Sequence, residues 1–134
     1  MWTFQSSTGK IINPSGEVVC TGYAGGNCGD NPEGVNNPEL QAASCVGPLP
    51  YGPKNDDTPN IYTFGTPEDS PHLGPFAIPL IPDSDNNMFG RSGFFCHGDN
   101  AKLNKSASEG CIVAPRPIRE SMWNSHDHKI QVIA

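Results

Sequence analysis

Positive charge is scarce in this chain and is never clustered. Of 134 residues, 8 are Lys or Arg and 14 are Asp or Glu, which gives a net charge of −6 at pH 7. Proteins that bind nucleic acid neutralise phosphates with patches or stripes of basic side chains. We therefore expect no nucleic-acid partner.

Long apolar runs are missing as well. One of the longest, "FAIPLIP", is short and interrupted by proline, so we expect no membrane span. The opening residues, "MWTFQSSTGK", lack the basic and apolar regions of a secretory signal, and we expect none.

Long helices are not expected either, because the chain contains 15 Gly and 14 Pro. Its length suits one domain with one core, which we place over residues 1–134. Alternating and β-branched segments predict a mainly antiparallel β domain with one or two short helices. The predicted strands are "WTFQ", "GKII", "EVVCTGYAG", "NIYTF", "FAIPLIP", "SGFFCH" and "HKIQVI". The predicted helices are one opened by Asn37-Pro38 and "PRPIRESMWNS" after residue 114.

Five cysteines are many for a chain of this size, and the odd number suggests one free thiol. If Cys111 is the free one, then Cys20, Cys28, Cys45 and Cys96 allow three pairings, and four reduced cysteines are an equal alternative. The sequence leaves the choice open.

The segment 94–119, "FFCHGDNAKLNKSASEGCIVAPRPIR", contains the residues with the clearest chemistry. A cysteine nucleophile needs a nearby base, and His97, at the end of a predicted strand, is the candidate base for Cys111. The imidazole needs an orienting partner, which could be a backbone carbonyl at Gly98 or the Asp99 carboxylate. A buried structural cysteine and histidine are the alternative interpretation.

The turn before Cys111 supplies further candidates. Gly110 has no Cβ, so a substrate could approach the sulfur closely, and backbone N–H groups here could hold a developing oxyanion. Ser108 offers a hydroxyl, which could either contact substrate or stabilise its own turn.

The segments "HGDN" and "SASEGCIV" together resemble the active-site signature of YkuD-type L,D-transpeptidases, in which a His-Gly pair precedes a Ser/Thr-x-Gly-Cys turn. Two positions depart from the common form. Glu109 stands where a second histidine is usual, and Val113 stands where an arginine is usual. With these two departures the chain resembles a divergent branch of the family, which consists of small antibacterial effectors delivered by type VI secretion. The segments "TGYAG", "GPLPYGP" and "MFGRSGFFCHGDN" also resemble that branch.

The resemblance implies a YkuD-like, β-sandwich-like fold and a role for each matched residue. Cys111 would attack a carbonyl of a peptidoglycan tetrapeptide stem, and His97 would transfer the protons, with neither a cofactor nor a metal. Arg91 is the candidate for binding a substrate carboxylate, because guanidinium pairs with carboxylates through two hydrogen bonds. The resemblance also implies action in the periplasm of a target bacterium after injection, and a cognate immunity protein.

Three alternatives remain. His126 and His128 would lie on one face of a strand as a pair of zinc ligands and, with His97 and Asp99, could belong to a zinc-dependent peptidase. A non-enzymatic, disulfide-stapled binding module would instead place Cys111 in a bridge. A papain-like or NlpC-type hydrolase normally has its cysteine before the histidine, the reverse of the order here.

Overall fold

A computed structural model describes residues 1–102 and 104–134. Strands hold 30% of the residues and helical turns 14%, so the prediction of a mainly β protein is confirmed. The strands are β1 (Trp2–Gln5), β2 (Lys10–Ile12), β3 (Val18–Thr21), β4 (Tyr23–Ala24), β5 (Asn60–Phe64), β6 (Glu68–Ser70), β7 (Gly74–Pro82), β8 (Phe95–His97), β9 (Ile112–Val113) and β10 (Lys129–Ile133).

The strands follow the order β3-β2-β1-β10-β5-β7-β8-β9-β4, and β6 pairs with β7 as a side hairpin. Most neighbours are antiparallel, as predicted, but β1 pairs parallel with β10 and β8 pairs parallel with β9. The long strand β7 links the two halves, because its last residues pair with β5 and its middle pairs with β8. The parallel β8–β9 pair is the feature that builds the candidate site.

The buried apolar side chains form one cluster that draws on both halves of the sheet path. On β1 and β10, alternate residues such as Phe4, Ile130 and Val132 are fully buried, which is the period-two pattern of a strand with one covered face. On β8 and β9, Cys96 and Ile112 are fully buried in the same cluster. Burial of each large side chain contributes about 1.5–3 kcal/mol.

The single α-helix in the described chain, α1 (Arg116–Asn124), begins after Pro115 and contacts β7 and β8. Its apolar side chains at Met122 and Ile118, four residues apart, are fully buried and half-buried. Arg119 on this helix is buried, and its guanidinium donates to the carbonyl oxygens of residues 75, 76 and 114. This side chain therefore ties the helix to the start of β7 and to the end of β9.

Residues 25–52 form a wall of loops beside the sheet, with three 3₁₀ turns at Asn27–Gly29, Pro32–Gly34 and Pro38–Leu40. The expected helix at Asn37-Pro38 is the last of these turns, and the Asn37 side chain accepts a hydrogen bond from Glu39 N as predicted for a cap. Within the described part of the chain, no helix has the length and apolar character needed to cross a bilayer.

Candidate active site

The parallel pairing of β8 with β9 brings His97, the last residue of β8, near Cys111, which immediately precedes β9. Cys96 lies opposite Ile112, and His97 lies opposite Val113. Because side chains alternate between faces, the neighbours of the buried Cys96–Ile112 pair point away from that core. With strands about 4.8 Å apart and a rise of about 3.3 Å per residue, the His97 and Cys111 Cα atoms are about 8 Å apart.

Both side chains line one cavity of about 760 Å³. Its lining includes residues 90–95 and 97 and residues 70, 72 and 73 of the β6–β7 hairpin. The remaining lining residues are Cys28, Ser44 and Cys45 of the loop region and Ala107 and Glu109 of the turn before Cys111. A cavity of this size can admit part of a peptide.

The imidazole of His97 is held by the main chain. Its Nδ1 lies 2.8 Å from the carbonyl oxygen of Gly98, and a carbonyl can only accept, so Nδ1 carries the proton. The Nε2 atom is therefore the acceptor. Burial lowers the pKa of His97, and the ring is 3% exposed, so the imidazole is neutral near pH 7. A neutral ring with a bare Nε2 is the form that can take a proton from a thiol.

The Cys111 thiol is partly buried and is protonated at rest. Burial raises its pKa, and the Glu109 carboxylate acts in the same direction. The Phe95 N–H donates to Sγ at 3.3 Å and favours the thiolate, as does the nearby Arg91. With both groups neutral, the thiol and the imidazole do not form a thiolate–imidazolium ion pair at rest.

The turn before Cys111 is fixed by the buried Ser108 hydroxyl. Its Oγ accepts from Gly25 N and Gly110 N at 2.9 Å each. The same hydroxyl donates to the Cys111 carbonyl oxygen at 2.7 Å. Ser108 therefore stabilises its own turn rather than facing a substrate, and the residue is 1% exposed. The Gly110 N–H is occupied by this bond and is not free for an oxyanion.

Gly110 is required for a reason other than the expected access to sulfur. A Cβ at this position would lie 2.7 Å from Arg91 Nη2 and 2.8 Å from Phe94 Cε1. Its φ of +142° also lies in a region that residues with a side chain rarely adopt. Gly110 therefore lets the turn pack onto Arg91.

Arg91 is a structural residue, which differs from the expected grip on a substrate carboxylate. Its Nη1 donates to the carbonyl oxygens of Gln41 and Pro48 at 2.7 Å each. Its Nη2 donates to those of Gly47 at 3.0 Å and Glu109 at 3.3 Å. All four Nη hydrogens are used inside the protein, and the side chain is 8% exposed. Arg91 thereby joins the loop region of residues 25–52 to the turn before Cys111.

Asp99 is also engaged elsewhere and does not hold the imidazole. Its Oδ1 accepts from the Tyr23 hydroxyl at 2.6 Å and from Asn100 N at 2.9 Å. The Tyr23 hydroxyl in turn accepts from Ala107 N at 3.1 Å. Of the two orienting partners expected for His97, the Gly98 carbonyl makes the hydrogen bond. Asp99 instead braces the loop that leads to the Cys111 turn, while its charge raises the His97 pKa from a distance.

All five cysteines are free thiols in the structure, so it selects none of the possible pairings. Cys111 in particular has no bridge, although a disulfide-stapled module would need one. Cys96 is fully buried in the core, whereas Cys28 and Cys45 are exposed on the cavity wall.

The histidines at the end of the chain lie apart from the cavity. His128 donates from Nε2 to the Trp123 carbonyl oxygen at 2.8 Å, and its ring stacks on Trp123 with centroids 4.1 Å apart. The His126 ring is 6.5 Å from that of His128. Across residues 1–102 and 104–134, no three His, Cys, Asp or Glu side chains are arranged to hold a metal ion.

Sequence reasoning missed three residues that shape the site: Tyr23, Glu109 as a cavity-wall carboxylate, and buried Arg119. The Tyr23 hydroxyl joins β4 to Asp99, 76 residues away, and no local sequence pattern predicts such a contact. Glu109 carried a signal, because it stands where the resembling family has a histidine. Arg119 carried none, since an arginine on a short helix normally faces solvent.

Comparison with known families now bears on this geometry. The family model of the Tlde1 domain matches residues 22–133. The chain belongs to this family. The family is one of type VI secretion effectors, which supports an antibacterial effector, is consistent with secretion into target cells and implies a possible immunity partner. The match includes every candidate site residue from Arg91 to Cys111. No curated protein and no solved structure gives a significant match.

Proposed function

We propose that the chain is a cysteine-dependent L,D-carboxypeptidase and L,D-transpeptidase of the YkuD type that acts on peptidoglycan tetrapeptide stems. The observation that supports this most is the shared cavity. It is lined by a partly buried thiol and by a neutral imidazole whose Nε2 is left as an acceptor. Membership in an effector family supports a bacterial target.

In the proposed reaction the Cys111 thiol gives its proton to His97 Nε2 as sulfur attacks the carbonyl carbon of meso-diaminopimelate. A carbon–sulfur bond forms, and the carbonyl oxygen gains negative charge. The Gly98 carbonyl, which accepts from Nδ1–H, stabilises the imidazolium. Collapse of the intermediate breaks the carbon–nitrogen bond, and the imidazolium protonates the departing D-alanine amine.

The acyl-enzyme thioester is then released by a second attack. A water molecule, deprotonated by His97, gives the tripeptide stem and restores the thiol, which is carboxypeptidase activity. The amine of a D-amino acid gives an exchanged tetrapeptide instead, which is transpeptidase activity. The same residues serve both outcomes, so the acceptor that reaches the thioester decides the product.

The test is incubation of purified tetrapeptide muropeptides with the protein, with and without added D-methionine, followed by mass spectrometry. We expect tripeptide without D-methionine and an additional D-methionine-exchanged product with it. The Cys111→Ala variant should form neither, and Cys20→Ser, a cysteine on β3 outside the cavity lining, should form both. Turnover that survives Cys111→Ala would exclude the mechanism.

The effector family also supports a proposed site of action. Peptidoglycan stems lie in the periplasm, so we place the activity in the periplasm of the target cell, with an immunity protein protecting the producer. Reduced thiol at Cys111 would have to persist in that compartment, and its partial burial favours this.

A further inference from the structure

The charged groups around the cavity are unevenly distributed. Among its lining residues in the described chain, Glu109 provides the single carboxylate and Arg91 the single guanidinium, with His72 and His97 as the imidazoles. The Arg91 Nη hydrogens are all bound to backbone carbonyls, and His97 is neutral through burial. Arg91 keeps its charge but is buried, so Glu109 is the exposed carboxylate that the cavity offers to a ligand.

Glu109 is held firmly at its backbone and is open at its side chain. Its carbonyl accepts from Arg91, and the next residue is fixed by Ser108. Its carboxylate is exposed, belongs to no ion pair in the described chain, and has one weak contact, from the Cys28 thiol at 3.7 Å. A carboxylate fixed beside a candidate nucleophile, with no cation of its own, is suited to a cationic ligand.

We propose that Glu109 binds the side-chain ammonium group of the same stem residue whose carbonyl Cys111 attacks, and so selects stems whose third residue has a free side-chain amine. The inference rests on the proposed function and deepens it. Glu109 lies two positions before Cys111, with Gly110 between them, so both can contact the same residue of a bound stem.

The same contact couples recognition to activation of the thiol. The negative charge of Glu109 acts on Cys111 and disfavours its thiolate. An ammonium group bound at Glu109 offsets that charge, so the sulfur loses its proton more readily when the matching substrate is present. A stem without the amine leaves the carboxylate uncompensated beside the reacting sulfur.

The test compares a meso-diaminopimelate tetrapeptide with the same peptide acetylated at its side-chain amine. We expect the wild-type protein to favour the free amine by about 10-fold to 100-fold in kcat/KM, the range of a hydrogen bond to a charged group. Glu109→Gln keeps the shape and removes the charge, so it should lose this preference. Glu120→Gln, on the exposed face of α1, is the matched control and should retain it. A preference unchanged in Glu109→Gln would overturn the proposal.

A binding measurement separates this inference from the proposed function. Calorimetric titration of Cys111→Ala and of Cys111→Ala/Glu109→Gln with both peptides requires no turnover. Tighter binding of the free amine that disappears in the double variant supports the ammonium site, even if the wild-type protein cleaves neither peptide. Binding that does not distinguish the peptides, or no binding of either, overturns it. Circular dichroism checks that the variants are folded.

Discussion

The Nδ1 atom of His97 lies 2.8 Å from the carbonyl oxygen of Gly98, while the neighbouring Asp99 carboxylate is bound to Tyr23. The group that orients the imidazole therefore belongs to the main chain, and no side-chain substitution deletes it. The tautomer with Nε2 as acceptor follows from this bond. The Asp99 carboxylate, although next to His97 in the sequence, braces the Tyr23 hydroxyl and does not orient the ring.

The first prediction concerns Asp99. Asp99→Asn keeps an oxygen that can accept from the Tyr23 hydroxyl, so the loop stays in place and kcat/KM at pH 7 should change by less than about 10-fold. Since the Asp99 charge raises the His97 pKa, its loss should move the acidic limb of the pH–rate profile to lower pH. A loss of about 10⁴-fold, as expected for a carboxylate that fixes the tautomer, would contradict the main-chain assignment.

The second prediction concerns pH. Because catalysis needs a neutral imidazole and burial lowers the His97 pKa, the acidic limb of kcat/KM should have its midpoint below the ordinary value of 6.5. His97→Gln should remove that limb and lower kcat/KM by about 10²-fold to 10⁴-fold. A midpoint above 6.5 would argue against a buried neutral base.

The same pKa shift has a consequence for stability. The unfolded chain takes up a proton at His97 near pH 6.5, whereas the folded chain resists it until lower pH, so protonation favours unfolding. The His97 contribution to the free energy of unfolding should fall as pH drops from 6.5 toward the folded-state pKa. Urea titrations of wild type and His97→Gln across this range measure the difference.

The third prediction concerns toxicity. When the protein is directed to the periplasm of a susceptible bacterium, Cys111→Ala should abolish killing, because the thioester cannot form. Cys45→Ser, an exposed thiol on the same cavity wall, should remain toxic. Both variants must accumulate to wild-type levels on an immunoblot. Full toxicity of Cys111→Ala would separate killing from the proposed chemistry.

Much of the fold could be predicted from local patterns. The features that were not predicted depend on contacts between residues distant in sequence. "NIYTF" and "HKIQVI" alternate clearly between buried and open positions and form the strands expected. The predicted strand "EVVCTGYAG" divides at Gly22, because β3 pairs with β2 whereas β4 pairs with β9. Gly22 packs against β9 so closely that a Cβ there would lie 2.1 Å from the Val113 carbonyl oxygen. That contact is between residues distant in sequence, so it leaves no local trace.

In the candidate site, too, residue types could be predicted from the sequence but long-range contacts could not. His97 and Cys111 were identifiable because their residue types and spacing carry chemistry. The hydrogen-bond partners of Arg91 were not, since three of them are backbone carbonyls 43 to 50 residues earlier and the fourth is 18 residues later. A sequence shows which side chain can donate but not which carbonyls the fold brings to it.

The fourth prediction concerns Arg91. Arg91→Lys replaces a planar group with four engaged Nη hydrogens by an ammonium that cannot reach the same carbonyls. We expect a loss of about 3 kcal/mol in the free energy of unfolding. Arg116→Lys makes the same chemical change at an exposed, 3.8 Å contact with Glu120 and should cost less than about 0.5 kcal/mol. Urea denaturation measures the free energy of unfolding of both variants, and equal losses would contradict the structural role of Arg91.

The fifth prediction separates crowding from backbone strain at Gly110. Gly110→Ala places a methyl group 2.7 Å from Arg91 Nη2, an atom that is itself held by two carbonyls and cannot yield. Gly16→Ala is the matched control, because Gly16 also has a positive φ, of +88°, but a Cβ there meets nothing within 4 Å.

The control should lose about 1 kcal/mol from the left-handed backbone alone. Gly110→Ala should lose about 3 kcal/mol or more, because overpacking adds to the strain. It should also lower the rate of Cys111 alkylation by iodoacetamide, followed by peptide mass spectrometry, since the displaced turn moves the sulfur away from the Phe95 N–H. Equal destabilisation of the two variants would mean that Gly110 is needed for its φ and not for its contact with Arg91.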